Sequence, residues 1–194
     1  MHSHRAYRKP RRRQMKVVVI NGHGGVGKDL FVLYCQAWNG TRNVKNYSTV
    51  DYVKAVAANL GWDGTKTDAN RKFLSDLKKI LTEWDDIPYR KTRLVIEEFE
   101  NKLKKRGQEY WKNGVIFIHC REPEEIQRFK EEFDAHTLLI RREQAENTEW
   151  TNASDKSVLG YQYDTVIHND GTLEQLRDAA KDFLVNDLGV TFKV

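Results

Sequence analysis

Cysteine is scarce in this chain, which has two cysteines in 194 residues, at positions 35 and 120. So few thiols, so far apart, exclude a disulfide scaffold and a cysteine-rich zinc module. They favour reduced thiols in a cytoplasmic protein. Only three prolines and 12 glycines are present, which excludes collagen-like and proline-rich low-complexity sequence. No apolar run approaches the ~18–20 residues that cross a bilayer, so we expect no membrane-spanning segment and no membrane partner.

The composition that remains is that of a folding chain. Hydrophobic residues make up 39% and aromatic residues 11%, which is more than a disordered chain contains. The length suits one sizeable hydrophobic core and is short for two full domains. We therefore expect a single domain over 15–194. Of the five tryptophans, Trp62, Trp84 and Trp111 are expected to pack against neighbouring elements.

The net charge of +5 belongs to the amino-terminal end. Residues 1–14 carry six of the 33 basic residues and none of the 28 acidic ones, so the rest of the chain has a net charge of −1. One interpretation is an arm that binds nucleic acid or another anionic surface. The other is a disordered basic tail or a non-native extension, because Met15 directly precedes the first apolar run. Any nucleic-acid contact is expected only through this segment.

Apolar periodicity predicts strands that alternate with helices. Unbroken apolar runs, which are typical of strands buried on both faces, occupy 16–21 and 115–120. Further strands are predicted at 45–50, 137–140 and 165–168, and helices at 28–39, 51–60, 70–84, 90–106 and 124–133. Thr172 and Gln175 have the spacing of a capping box, which predicts a final helix. The alternation predicts an α/β protein, a three-layer α/β/α fold with a mostly parallel sheet.

One motif carries chemistry. The first predicted strand is followed by Gly-His-Gly-Gly-Val-Gly-Lys-Asp, which has the G-x-x-x-x-G-K pattern of a phosphate-binding loop. Its glycines permit backbone torsions that turn successive N–H groups into one concavity, and the next helix adds its positive N-terminal dipole. The lysine can reach the β- and γ-phosphates of a nucleotide. We therefore expect ATP to bind Gly22, His23, Gly24, Gly25, Val26, Gly27, Lys28 and Asp29.

Asp29 occupies the position where this motif usually has Ser or Thr. A carboxylate there has two interpretations, and the sequence leaves both open. In the first, Asp29 binds Mg²⁺ directly or through water, because oxygen ligands suit that ion. In the second, it caps the N-terminus of the following helix, where a negative charge is favourable.

With these residues the chain resembles the deoxynucleoside monophosphate kinases of the bacteriophage type and the related phosphomevalonate kinases, whose loop also ends in Gly-Lys-Asp. The resemblance runs thinly over 16–188 and rests on the order and spacing of Ser48–Lys54, Asn70–Arg71, Val115–Glu125, Ser154–Asp155 and 163–173. It implies a P-loop kinase fold, with ATP and Mg²⁺ as cofactors. It also implies a small phosphorylated acceptor, most simply a nucleoside monophosphate, bound by residues within 48–93.

Phosphoryl transfer depends on positioning and charge neutralisation, and the guanidinium fork matches phosphate oxygens. We therefore expect a catalytic set of Lys28, Arg121, Arg141 and Arg142, and acceptor contacts from Asp51, Lys54 and Arg71. Arg121 and Glu125 match an Arg and a Glu of the family. Asp51 has a second and favoured interpretation, which is to cap the following helix. The irregular stretch 141–160 suits a lid that excludes water.

His119 departs from the family, which has an Asp at this strand end. An imidazole is a poor ligand for Mg²⁺, although Asp29 or Glu122 could supply the missing carboxylate instead. Besides a kinase, two functions therefore stay open. One is a nucleotide-binding protein without catalysis, and the other is an ATP-dependent, nucleic-acid-associated protein that uses residues 1–14. The sequence does not determine the acceptor or the oligomeric state.

Overall fold

The computed structural model describes residues 14–146 and 160–192. The strands are β1 (Lys16–Asn21), β2 (Val44–Ser48), β3 (Val115–His119), β4 (His136–Arg141) and β5 (Thr165–His168). The helices are α1 (Lys28–Asn39), α2 (Asp51–Asn59), α3 (Asp68–Asp85), α4 (Ile87–Arg106), α5 (Gln108–Asn113), α6 (Pro123–Phe133), α7 (Glu143–Glu146) and α8 (Leu173–Asp182), which continues into a π-helix, Phe183–Asp187. In this part of the chain, no helix is long and apolar enough to cross a bilayer.

The five strands form one sheet in the order β2-β3-β1-β4-β5, with every neighbouring pair parallel. The predicted fold class, helices on both sides of a parallel sheet, is confirmed. β1 is central, and Ile20 lies opposite both His119 of β3 and Leu138 of β4. Because all strands run the same way, the carboxyl ends of β1, β3 and β4 meet at one edge of the sheet. In open α/β sheets, ligands bind at this edge.

The sheet separates two hydrophobic layers. Val18 and Ile20 point into one layer, and Val17 and Val19 point into the other, which is why β1 is apolar from Val17 to Ile20. The first layer contains α1, α8 and the π-helix, and the second contains α4 and α6. One free cysteine is buried in each layer: Cys35 in the first and Cys120 in the second.

Three phenylalanine rings pack together in the first layer. The Phe31 ring lies 6.3 Å from that of Phe117 and 5.7 Å from that of Phe183, between centroids, in edge-on geometry. Such pairs add roughly 0.5–1.5 kcal/mol beyond the burial of their area. Because Phe31 lies on α1, these contacts hold the helix that follows the Gly22–Lys28 segment firmly against β3.

Several element boundaries differ from the predictions by a few residues. β2 ends at Ser48 rather than at residue 50, because the Ser48 N–H donates to the Asp51 side chain as the chain turns into α2. α3 is longer than the predicted 70–84, since Thr67 caps it by accepting a 3.2 Å bond from the Asn70 N–H. The capping box of Thr172 and Gln175 is confirmed.

α3 contains no buried side chain, although its apolar residues have helical spacing. Trp84 is 82% exposed and Ile80 is 59% exposed, so the expectation that Trp84 packs is wrong. The reason is topological: α3 packs mainly against α2 and α4. The apolar stripe of α3 is therefore only partly buried by these two helices.

Candidate functional site

Residues 22–28, which we call the phosphate loop, join β1 to α1. Gly22, Gly25 and Gly27 have φ angles of 142°, 83° and 96°, which L side chains rarely adopt. Gly27 is the N-cap of α1, so the open N–H groups of the first helical turn lie directly after the loop. The backbone therefore has the geometry that an anion-binding turn requires, while nucleotide binding itself stays a prediction.

Two of these glycines are needed for packing. A Cβ on Gly22 would overlap the carbonyl oxygen of Ile140 in β4, and a Cβ on Gly27 would lie 2.6 Å from Nδ2 of Asn169. A Cβ on Gly24 would meet nothing within 4 Å. Gly22 and Gly27 thus seat the loop on the sheet, whereas Gly24 faces open space where a ligand can lie.

Two asparagines hold the loop, and the sequence analysis missed both as site residues. Asn21 accepts a 2.8 Å bond from the Gly22 N–H through Oδ1, and its Nδ2 donates to the hydroxyl of Tyr163 at 3.0 Å. Asn169 donates from Nδ2 to the carbonyl oxygen of Val26 at 2.8 Å. Asn169 and Tyr163 are over 140 residues from their partners, so no local pattern could have identified them.

The Lys28 side chain folds back over the loop. Its Nζ donates to the carbonyl oxygens of Gly22 and His23, at 2.7 Å each. Both acceptors are neutral, whereas a phosphate oxygen carries a negative charge that attracts the ammonium more strongly. The ammonium is therefore held beside the loop opening by bonds that a phosphate would readily replace.

His119 is surrounded by the charged residues that the sequence predicts for the site. Burial lowers the pKa of His119, Asp29 and Asp51 oppose this shift, and Lys28 and Lys54 reinforce it. The net lowering keeps the imidazole neutral at neutral pH. Its Nε2 lies 2.7 Å from Oδ1 of Asn46 and 3.7 Å from Oδ1 of Asp29.

Asp29 lies in the first turn of α1 and forms no side-chain capping bond. Of the capping interpretation, only the electrostatic part remains: the negative charge of Asp29 is favourable near the helix N-terminus. The side chain is 86% exposed and free to reorient. The donors near the loop are thus one carboxylate oxygen and one imidazole nitrogen, which is not the all-oxygen set that Mg²⁺ prefers.

Asp51 does not cap α2, contrary to the favoured interpretation. It is the first residue of the helix, and no side-chain capping bond is present at Val50, the N-cap. Instead its Oδ2 accepts a 2.8 Å bond from the Ser48 N–H, and its Oδ1 lies 3.5 Å from Nζ of Lys54. Asp51 thus holds the turn that leaves β2 and places Lys54 near His119.

The predicted arginines fall into two groups. Arg121 lies two residues after the end of β3, while Arg141 ends β4 and Arg142 follows it. Because β3 and β4 pair with opposite sides of β1, these arginines lie at the loop's edge of the sheet, on both flanks. Arg71 is different: it lies on α3, is 58% exposed and pairs with Asp68 at 3.4 Å, so no described contact links it to the loop.

A partly buried polar cluster beside the end of β3 was not predicted. Lys78 of α3 donates to Glu122 at 2.8 Å and to Glu125 at 3.0 Å, and the Cys120 thiol donates to Glu125 at 3.2 Å. Burial lowers the pKa of Lys78, but the carboxylates of Glu125 and Glu122 more than offset this and the pKa is raised. Burial raises the pKa values of Cys120 and Glu125.

This Lys78 cluster fixes α3 to the start of α6. Across 14–146 and 160–192, Cys120, Glu122 and Glu125 are the one group of three residues spaced to hold a metal ion. However, the Lys78 ammonium already contacts both carboxylates. The family's Glu, matched by Glu125, therefore serves here as an ion-pair partner, and Glu122 is paired in the same way.

Some predictions lie outside the described residues. Most of the predicted lid (141–160) and the Ser154–Asp155 pair fall within 147–159, and nearly all of the basic segment 1–14 falls within 1–13. The start of the predicted lid is described: α7 follows β4, and the Glu143 N–H donates to Asp170 at 2.7 Å.

No protein-family model and no curated protein matches this sequence. Among solved structures, a sugar kinase from Janibacter sp. HTCC2649 is 15% identical, with a TM-score of 0.46 over 92% of this chain and 99% of its own. The shikimate kinase of Aquifex aeolicus vf5 is 13% identical, with a TM-score of 0.44 over 89% and 99%. The shikimate kinase of Bacteroides thetaiotaomicron is 14% identical, with a TM-score of 0.43 over 91% and 99%. At these identities and TM-scores, the similarity concerns the general arrangement of sheet and helices. It does not indicate a substrate for this protein.

Proposed function

We propose that this protein binds ATP at the phosphate loop and transfers its terminal phosphate to a small phosphorylated acceptor. A nucleoside monophosphate is the acceptor class that the sequence resemblance favours. The observation that carries the proposal is the Lys28 ammonium, held 2.7 Å from two loop carbonyls directly after the central strand. A glycine-rich turn, a lysine and a helix N-terminus converge there on one point.

In this proposal, the loop N–H groups and the N-terminus of α1 bind the β- and γ-phosphates, since both present partial positive charge. Lys28 exchanges its two carbonyl acceptors for phosphate oxygens and neutralises charge as it develops. The loop needs little rearrangement, because Gly22, Val26 and Gly27 are already fixed against Ile140 and Asn169. A prepared site of this kind stabilises the transition state without a reorganisation cost.

The arginines supply the remaining positive charge. Arg121 on one flank of β1, and Arg141 and Arg142 on the other, would clamp the transferring phosphate and the acceptor phosphate. Asp51 and Lys54 lie at the β2 end, where the acceptor would approach. A divalent cation bound with ATP would neutralise further phosphate charge, and Asp29, an exposed carboxylate in the first turn after the loop, would help to hold it.

The binding half of the proposal is tested by thermal unfolding with and without ATP. The wild-type protein should be stabilised by ATP, by about 2.7 kcal/mol when ATP is at 100 times its dissociation constant. Lys28→Met should lose this stabilisation, because the phosphates lose their point charge. Lys72→Met is the control, since Lys72 is 75% exposed and pairs only with Asp76 on α3. An unchanged ATP-dependent rise in the Lys28→Met variant would refute the site.

The transfer half is tested by following radiolabelled γ-phosphate from ATP onto a panel of nucleoside monophosphates and phosphomevalonate. The panel is run with the full chain and with a form that begins at Met15. We expect labelled product with at least one acceptor, and loss of product in Arg121→Met with little change in ATP binding. Equal transfer in that variant would remove Arg121 from the catalytic set.

A second candidate function is a nucleotide-binding protein that does not catalyse transfer. The observation that favours it is the imidazole of His119 at the strand end, where an oxygen ligand is expected. Tight ATP binding that depends on Lys28, with no labelled product from any acceptor, would support this alternative over the kinase.

A further inference from the structure

Three polar side-chain atoms lie near one another where β3, β2 and the start of α1 meet. They are Nε2 of His119, Oδ1 of Asn46 and Oδ1 of Asp29, with Nε2 lying 2.7 Å and 3.7 Å from the two oxygens. The His119 side chain is only 17% exposed, while that of Asp29 is 86% exposed. As candidate metal ligands, the imidazole is therefore fixed in place, and the carboxylate can change its position.

The spacing of these atoms suits a six-coordinate ion. In an octahedron with bonds of about 2.1 Å, neighbouring ligand atoms lie about 3 Å apart. Nε2 of His119 lies 3.7 Å from Oδ1 of Asp29, while its 2.7 Å contact with Asn46 is a hydrogen bond. A small rotation of the exposed Asp29 side chain brings its oxygen closer to Nε2. When the ring proton resides on Nδ1, Nε2 presents its lone pair, and the exposed Asn46 amide no longer receives a hydrogen bond from it.

The chemistry of the set favours one class of ion. Mg²⁺ prefers oxygen ligands in near-ideal octahedral geometry, whereas an imidazole nitrogen suits transition metals. Phosphate and carboxylate oxygens also suit Mn²⁺. A mixed set of one nitrogen, one carboxylate and nucleotide phosphates is therefore better matched by a first-row transition-metal ion than by Mg²⁺.

We propose that the divalent cation of this site is a first-row transition-metal ion such as Mn²⁺, ligated by His119 and Asp29 together with the nucleotide. This inference rests on the proposed nucleotide site and deepens it. The strand-end histidine then sets metal preference instead of abolishing metal binding. Its consequence is that an assay supplied with Mg²⁺ alone would underestimate the affinity for ATP.

The experiment uses the full chain with a non-hydrolysable ATP analogue and measures analogue affinity in Mn²⁺ and in Mg²⁺. The reported quantity is the ratio of the two affinities, compared between variants, because the analogue itself binds the two ions differently. His119→Asp restores an oxygen ligand, and we expect it to shift the ratio toward Mg²⁺ by about tenfold or more. His168→Asp is the control: His168 ends a different strand, is 62% exposed and should leave the ratio unchanged.

A spectroscopic measurement reports the nitrogen directly. With Mn²⁺ and the analogue bound, electron spin-echo modulation should show a ¹⁴N coupling from the imidazole in the wild type and in His168→Asp. It should be absent in His119→Asp. His119→Asn, which also offers oxygen, serves as a second variant if His119→Asp does not fold.

The outcomes separate this inference from the proposed function. If the analogue binds with neither ion, the nucleotide site itself is wrong and the inference falls with it. If the analogue binds, but the wild type shows no ¹⁴N coupling and the same Mn²⁺-to-Mg²⁺ ratio as His119→Asp, the metal inference alone is overturned. A ¹⁴N signal that His119→Asp removes, with the ratio shifted toward Mg²⁺, establishes it.

Discussion

The phosphate loop and helix α3 are attached to the molecule in opposite ways. The loop is seated by close backbone contact and by buried groups: Gly22 lies against Ile140, Val26 is fully buried, and Asn169 bonds its carbonyl. α3 has no buried residue, and its deepest tie to α6 is the Lys78 ion cluster. The predicted nucleotide side is thus fixed by the core, whereas the predicted acceptor side is held by polar contacts that open at lower cost.

The largest expected effect is on the loop side of this comparison. Gly22→Ala should lower the free energy of unfolding by about 3 kcal/mol, because its Cβ overlaps a backbone carbonyl and φ is 142°. Gly24→Ala is the matched control, since its Cβ meets nothing within 4 Å. Urea unfolding measures both. Equal losses in the two variants would mean that the loop is not seated as described.

The next effect concerns α3. Lys78→Met leaves Glu125 poorly solvated beside Glu122, and we expect a loss of about 2–3 kcal/mol. Lys79→Met removes a neighbouring lysine that is 74% exposed and 3.8 Å from Glu83, and it should change stability by less than about 0.5 kcal/mol.

Hydrogen exchange locates the loss in Lys78→Met. Amides of α3 should exchange faster, while those of α1 keep their protection. Adding Glu125→Gln should recover part of the stability, because it removes the unpaired charge. If exchange quickens equally in α1 and α3, then the two regions are coupled and the contrast between them is wrong.

The smallest effect separates support of the site from support of the fold. Asn169→Ala removes the 2.8 Å bond to the Val26 carbonyl, and Asn43→Ala removes a comparable 2.9 Å bond to the Asn39 carbonyl. Each should cost about 1 kcal/mol of stability. Only Asn169→Ala should also weaken ATP-dependent thermal stabilisation, since only Val26 belongs to the loop. Equal nucleotide responses would show that Asn169 has no role in positioning the loop.

The sequence predicts the frame of the molecule well, for a physical reason. Strand segments buried on both faces are apolar on both, so the unbroken runs 17–20 of β1 and 115–118 of β3 are visible in the sequence. The phosphate loop is visible because its backbone torsions require glycine at Gly22, Gly25 and Gly27. Both are patterns of neighbouring residues, so they can be recognised before the fold is known.

What could not be predicted depends on contacts between distant residues. Asn169 bonds Val26 across 143 positions, and Lys78 reaches Glu125 across 47. The helical spacing of apolar residues in α3 was correct, but spacing alone does not reveal that no sheet lies beneath Trp84. The short helix α5 was missed because six residues do not complete two turns of a periodic pattern.

The two buried cysteines lie on opposite sides of the sheet, each in a different hydrophobic layer. Burial raises the pKa of both thiols, and low thiolate content with restricted access makes them slow to react with alkylating reagents. Cys35 becomes reactive when the α1 side opens, and Cys120 when the α6 side opens. Mass spectrometry of the labelled peptides would therefore measure the transient opening of each layer separately. The two cysteines serve as reporters without any engineered probe.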